Sequence, residues 1–309
     1  MSSENLQLIS RIFKRLWQDY RSKVPQVTLI EDALRAAGET WSEDHVAFRT
    51  LPGANTGAAV LQQLFELLGY VRMDSYHFEE KQLSAFWMEP PHAMQLKCDQ
   101  CPPKIFVSEL IIQKFSAPLQ KVIQKYTCQI DASIIEDCLK LKKSNTAVNI
   151  QKLEDTIVSF LSHGPLWARP CETDYEICLR ESEYSAWTLV YGNVVNHFTV
   201  SVFLMSKFKT LESFNTYCKQ NLSVTLNGSG GGEIKGTPQL KLEQSATLAA
   251  PLPVLFQDKL KKLPYAFVEF AFRHVLDNCT DDKKYSSYYQ GFVINNADKI
   301  FESTDVLQG

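Results

Sequence analysis

Twice along the chain, a strand with a histidine inside it is followed by an amphipathic helix and then by further strands. The first case is "DHVAFRTL" at 44–51, then "AAVLQQLFELLGY" at 58–70 and strand-like runs at 70–78, 83–90 and 104–110. The second is "NVVNHFTVSVF" at 193–203, then "KTLESFNTYCKQN" at 209–221 and strands at 239–249 and 265–273. Between them, 112–163 has helical periodicity throughout. Leu61, Leu64, Phe65 and Leu68 form a stripe at helical spacing that Gly69 closes, whereas the flanking runs alternate with period two. This is not the strictly alternating order of a doubly wound parallel sheet. It predicts an α+β fold of two strand–helix–multistrand units around a helical insertion. The apolar run "EYSAWTLVYG" at 183–192 reads as one more strand. The expected organisation is a single catalytic domain over 1–309, with N-terminal helices over 1–43 and β-rich halves over 44–110 and 183–304. The helical insertion occupies 111–165.

A formal net charge of −3 and a pI near 6.1 argue against nucleic acid or an anionic membrane surface as the main partner. No apolar run reaches the roughly 18 residues that suggest a membrane span, and the N-terminus reads as an amphipathic helix rather than a signal peptide. A cytoplasmic location is expected. Eight cysteines lack framework spacing. Cys98 and Cys101 form one C-x-x-C without the second pair that a structural zinc site needs, and read as ordinary loop thiols in a reducing compartment.

The chemistry concentrates in three strands. Of six histidines, four fall in loops or at strand ends, while His45 and His197 are mid-strand. His45, Ala47 and Arg49 share one face, and Val195, His197, Thr199 and Ser201 share a polar face that contrasts with an apolar one. A lone strand histidine is usually a hydrogen-bonded core residue, but two in equivalent places of a repeated pattern suggest a joint task. In "YAFVEFAFR", Glu269 lies between apolar neighbours, where an unpaired carboxylate is costly. Arg273 is four residues on, about 13 Å of strand, so a metal ion is the better partner. Two imidazoles and one carboxylate leave three positions open on an octahedral metal, as in non-haem Fe(II) oxygenases. The same set can hold zinc. Arg49 and Arg273, each four residues beyond a ligand, are candidates to grip the far carboxylate of a metal-bound acid.

The runs "HVAFRTL", "KIFVSEL", "YGNVVNHFTVSV", "KGTPQLKLEQSATLA", "FVEFAFR" and "GFVINNADKIFEST", in that order, together resemble the 2-oxoadipate dioxygenase/decarboxylase family. That family is related to the vicinal oxygen chelate superfamily and resembles hydroxymandelate synthase in its chemistry. The resemblance extends from about residue 5 to residue 304. It implies a curved sheet of βαβββ-type units around Fe(2+), with His45, His197 and Glu269 as metal ligands and Arg49 on the substrate carboxylate. Gln244 and Ser245 lie in a shared motif and are expected to line the pocket. Glu302 is the rival carboxylate ligand. The implied reaction takes 2-oxoadipate and O2 to 2-hydroxyglutarate and CO2, a step of lysine degradation. A zinc or manganese hydrolase, lyase or isomerase on the same scaffold, and a non-catalytic 2-oxo acid binder, are the alternatives.

Overall fold

A computed structural model describes residues 3–294 except 145, 230, 258, 280 and 282, together with Asn296 and Thr304. Helices α1 (Ser3–Lys23) and α2 (Pro25–Ala36) precede strand β1 (Glu43–Thr50), helix α3 (Ala58–Leu67) and strands β2 (Val71–Phe78), β3 (Leu83–Glu89) and β4 (Lys104–Leu110). The insertion is α4 (Ala117–Thr127), α5 (Ile134–Ser144) and α6 (Ala147–Ser162), followed by α7 (Glu172–Glu181) and α8 (Glu183–Tyr191). The second β-rich half is β5 (Val195–Ser201), α9 (Leu211–Leu222), β6 (Lys235–Thr237), β7 (Leu242–Ala246), β8 (Ala250–Leu255) and β9 (Leu260–Arg273).

The strands form one curled mixed sheet in the order β2-β3-β4-β1-β5-β9-β7-β6, with β8 added on β9. The two halves share a topology. In each, the opening strand (β1 or β5) pairs in parallel with the last (β4 or β9), and the intervening strands continue outward antiparallel. The halves meet where β1 and β5 pair antiparallel. The repeated pattern in the sequence is therefore a repeated βαβββ arrangement, and the two histidine strands are neighbours at its centre.

Alternation then sorts the side chains. Val46, Phe48, Phe198, Val200, Val268 and Phe270 are all fully buried on one face, beneath a helical layer. Trp17 of α1 meets Phe198 edge-on at 5.0 Å, and Phe214 of α9 lies 4.7 Å from Phe270. Each such side chain contributes about 1.5–3 kcal/mol relative to exposure, which pins the register. A slip of one residue would send these groups to the opposite face. His45, Ala47 and Arg49, with His197 and Glu269, consequently face the concave side.

The expected strand at 183–192 is instead helix α8. Ser182 caps it by accepting from the Ser185 N–H at 3.1 Å. Gly192 ends it at φ +72°, where a Cβ would lie 2.6 Å from Pro165 Cα. All nine residues of this run except Glu183 are buried, so no polar face marks its period, and a short apolar run does not distinguish helix from strand. Strands β6 and β8 and helix α7 add to the elements expected from the sequence, and β9 begins five residues before the expected 265. Glu302 lies outside the described residues.

Candidate metal centre

His45 and His197 are not directly opposite on β1 and β5; His45 pairs with Thr199 and His197 with Ala47. This diagonal placement brings the two imidazoles together on the concave face, with ring centroids 5.7 Å apart. Thr199 pairs in turn with Glu269 on β9, which delivers the carboxylate between them. Glu269 Oε2 is 3.3 Å from His197 Nε2, and Oε1 is 3.7 Å from His45 Nε2. Among the described residues this is the one group of three such side chains able to hold a metal, with ligand atoms all within 4.8 Å of one another.

A local irregularity precedes each histidine. Glu43 pairs with Val200 and His45 with Thr199, so Asp44 is the extra residue of a β-bulge. Ala47 pairs with His197 and Phe48 with Val195, so Asn196 is the extra residue of a second. Bulges re-aim side chains, and these two have matched results. Asp44 Oδ1 accepts from His45 Nδ1 at 2.9 Å, and Asn196 Oδ1 accepts from His197 Nδ1 at 2.9 Å. Both rings are thereby held in the tautomer that turns the Nε2 lone pair toward the site. Neither Asp44 nor Asn196 was singled out from the sequence, although each directly precedes a candidate histidine.

The electrostatics suit a cation. Burial alone would push the Glu269 carboxyl up, but His45, His197 and the bond from Gln244 outweigh it and hold it below its usual range. Burial keeps His197 below the ordinary imidazole value, hence neutral. Its Nε2 is buried without a hydrogen-bond partner, an arrangement that a metal would relieve. The His45 Nε2 accepts from Thr199 Oγ1 at 3.0 Å. Two imidazoles and an ionised carboxylate fit a divalent transition metal.

Around these groups is a narrow cavity lined by Arg49, Phe106, Ser108, Asn196, Gln244 and Phe292. Phe292 meets His45 edge-on at 4.8 Å, and Phe267 stacks on His197 at 4.6 Å. Arg49 is clasped by α8, its Cζ 5.1 Å from the ring centroids of both Tyr184 and Trp187. Its Nη2 donates to Thr304 Oγ1 at 2.7 Å, while its Nη1 reaches the two Glu183 oxygens at 3.3 and 3.4 Å. Tyr184 and Trp187 are three residues apart, about one helical turn, but in a run buried nearly all round that spacing marks no distinct face.

The remaining candidates divide. Gln244 lines the cavity and donates from Nε2 to Glu269 Oε1 at 2.6 Å. Ser245, the next residue of a strand, faces the other way and donates to Asn215 Oδ1 of α9 at 2.8 Å, so it is not a pocket residue. Arg273 does not line the cavity either. Its Nε and Nη2 hold the two oxygens of Asp44 at 2.6 and 2.9 Å, and its Nη1 donates to the carbonyls of Tyr289 and Gly291. The expectation that it binds substrate gives way to a place behind His45.

A family model described as 2-oxoadipate dioxygenase/decarboxylase matches residues 12–288. The chain belongs to the 2-oxoadipate dioxygenase/decarboxylase family. A relative from Oryza sativa subsp. japonica, described as 2-oxoadipate dioxygenase/decarboxylase, chloroplastic/amyloplastic, is 34% identical over 296 residues, 92% of this chain and 75% of the relative. The solved structure of an Oryza sativa hydroxyglutarate synthase in complex with 2-oxoadipate is similar at a TM-score of 0.83 and 32% identity, covering 100% of this chain and 95% of that one. A glyoxalase superfamily protein from Ralstonia eutropha has a TM-score of 0.76 at 19% identity, with 94% and 89% covered. That last likeness concerns the fold alone and agrees with the expected vicinal oxygen chelate-like sheet. No described helix is long and apolar enough to cross a membrane. The rice relative's plastid description lends nothing to the cytoplasmic expectation.

Proposed function

We propose that this chain is, over its whole length, one catalytic domain that converts 2-oxoadipate and O2 to 2-hydroxyglutarate and CO2 with Fe(2+) held by His45, His197 and Glu269. The observation that carries the reading is the convergence of two tautomer-fixed imidazoles and an ionised carboxylate in one cavity with a caged arginine, in a member of this family. Bound Fe(2+) would supply the redox chemistry with O2, which no side chain of the site can supply.

The side chains account for the rest. His45 and His197 offer Nε2, with Nδ1 protons held by Asp44 and Asn196. Arg49 cannot swing, because two aromatic faces and α8 fix its plane. Its contacts to Glu183 are long for a charge-assisted bond, so a substrate carboxylate can take that side of the guanidinium at closer range. The acid is then held at its far end while its 2-oxo end lies at the metal ligands, so that the oxo carbon becomes a carboxyl as CO2 leaves and the methylene beside it, the new α-carbon, is the one hydroxylated. Fixing that geometry is the protein's main contribution to rate. Phe106, Phe267 and Phe292 wall the site with apolar surface, excluding water that would compete for reactive species.

Oxygen uptake by protein prepared anaerobically and loaded with Fe(2+) tests the reading. Addition of 2-oxoadipate should consume one O2 per CO2 and per 2-hydroxyglutarate formed. Metal binding without oxygen uptake on any 2-oxo acid would sink it in favour of a hydrolytic or purely binding role. The cytoplasmic placement and a part in lysine degradation belong to this proposal. Eight free cysteines support a reducing compartment, and fractionation would check it.

A further inference from the structure

The two bulge residues behind the histidines differ in one respect. Asp44 has its second oxygen taken by cations, Arg273 Nε at 2.6 Å and Lys104 Nζ at 3.3 Å. Asn196, which is 1% exposed, has its Oδ1 on His197 Nδ1 but a buried Nδ2 with no hydrogen-bond partner. The orientation of this amide is not arbitrary. His197 presents Nε2 to the metal site only if Nδ1 carries the proton, and that proton requires an acceptor, so Oδ1 is on the ring and Nδ2 is the free donor. A buried amide N–H left unpaired costs roughly 1–3 kcal/mol. Asn196 lines the same cavity as Arg49, His45 and Glu269.

We infer that Asn196 is a substrate contact: its Nδ2 donates a hydrogen bond to an oxygen at the 2-oxo-carboxylate end of the bound acid, while Arg49 holds the other end. One side chain then serves both partners of the site. Oδ1 sets the tautomer of a metal ligand, and Nδ2 orients the acid beside that ligand. An aspartate there would serve His197 as Asp44 serves His45, but would repel the acid. The amide is what lets position 196 face an anionic substrate. The inference rests on the proposed 2-oxo acid reading.

Asn196→Asp separates the two tasks. It keeps the acceptor for His197 Nδ1 and removes the donor without changing size. Under anaerobic conditions, Fe(2+) affinity is measured by titration, and 2-oxoadipate affinity is then read from the charge-transfer absorbance of the metal-saturated protein. The variant should bind Fe(2+) at least as tightly as the unaltered protein, within about threefold, and bind 2-oxoadipate on the order of 100-fold more weakly, as loss of a bond to a charged group implies. Asn196→Ala, which adds no charge, covers the case in which the aspartate variant does not fold. It should lose roughly tenfold in both affinities, the metal through disorder of His197. If 2-oxoadipate binds metal-saturated Asn196→Ala and Asn196→Asp within threefold of the unaltered protein, Asn196 is only a support for His197 and the inference is overturned. If the unaltered protein itself fails to bind 2-oxoadipate, both the functional reading and this contact fall, an outcome that control distinguishes.

Discussion

Arg273 of β9 and Asp44 of β1 are joined by two parallel hydrogen bonds, 2.6 Å to Oδ2 and 2.9 Å to Oδ1, and the same Oδ1 receives the His45 Nδ1 proton. Arg273 thus reaches past β5 to brace a residue that braces His45, a proposed metal ligand. Burial would raise the Asp44 carboxyl, but Arg273 and Lys104 hold it well below the usual range. A permanently ionised acceptor strengthens the imidazole as a donor to metal.

Removing that guanidinium leaves a buried carboxylate with the more distant Lys104 ammonium and the His45 N–H beside it. Burial and Arg273 bring the Lys104 ammonium down to about 8, and without Arg273 its charge would be better matched to Asp44 alone. Breaking a buried pair on one side costs about 3–5 kcal/mol. Arg273→Met is expected to lose about that much unfolding free energy in urea, in metal-free protein. Arg273→Lys, retaining charge but not the two-pronged geometry, should lose less than half as much. Equal stability of Arg273→Met and the unaltered protein would contradict the bracing role.

Arg49 is expected to be intolerant of the nominally conservative change. Lysine cannot lie flat between Tyr184 and Trp187 or offer two parallel donors. Arg49→Lys should lower kcat/KM for 2-oxoadipate by roughly 100-fold, about 2.7 kcal/mol of transition-state binding. Its metal content should be unchanged, since Arg49 is not a ligand. Steady-state kinetics beside metal analysis would show whether the loss belongs to the acid or to the metal.

How much of this was readable beforehand depends on side-chain period. The β1, β5 and β9 strands alternate polar and apolar residues, so His45, Arg49, His197 and Glu269 could be assigned a common face from spacing alone. The pairing that makes them neighbours is not local, but the repeated strand–helix–strands order pointed to it. Helix α8 escaped because it is buried nearly all round and has no amphipathic signature. With it went Glu183, Tyr184 and Trp187, the cradle of Arg49. The bulges at Asp44 and Asn196 depend on register between two strands about 150 residues apart, which no local pattern encodes. Ser245 illustrates the opposite error. A shared motif suggested the pocket, whereas simple alternation with Gln244 already placed it on the other face.

Metal removal should leave a folded but less stable protein. Ligands that bind only the native state stabilise it by RT ln(1 + [L]/Kd), about 2.7 kcal/mol at a hundredfold excess over Kd. Chelation should therefore lower the melting temperature, and Fe(2+) under anaerobic conditions should restore it. Glu269→Gln keeps the shape of the site and removes the charge. It should retain less than a tenth of the metal by elemental analysis after desalting, and show no melting shift with Fe(2+). A normal metal content in this variant would remove Glu269 from the ligand set.

The helical insertion is tied to α7 by a group whose titration has a definite sign. Asp174 accepts from Lys125 Nζ at 2.6 Å and Tyr126 Oη at 2.7 Å. Burial opposes its ionisation, but these bonds outweigh it and hold the carboxyl below its usual range in the folded state. A depressed carboxyl binds fewer protons folded than unfolded, so its stabilisation is complete above the unfolded value and is lost as pH falls through the folded one. Hydrogen bonds to a charged group contribute about 1.5–3 kcal/mol. Asp174→Asn should therefore be less stable than the unaltered protein by about that amount at pH 7, with the gap constant down to about pH 5 and closing below pH 4. Urea denaturation across pH 3–7 would read the gap directly. A difference between the two proteins that stays flat through pH 3 would mean that α4 and α7 are held together by packing, with Asp174 incidental to it.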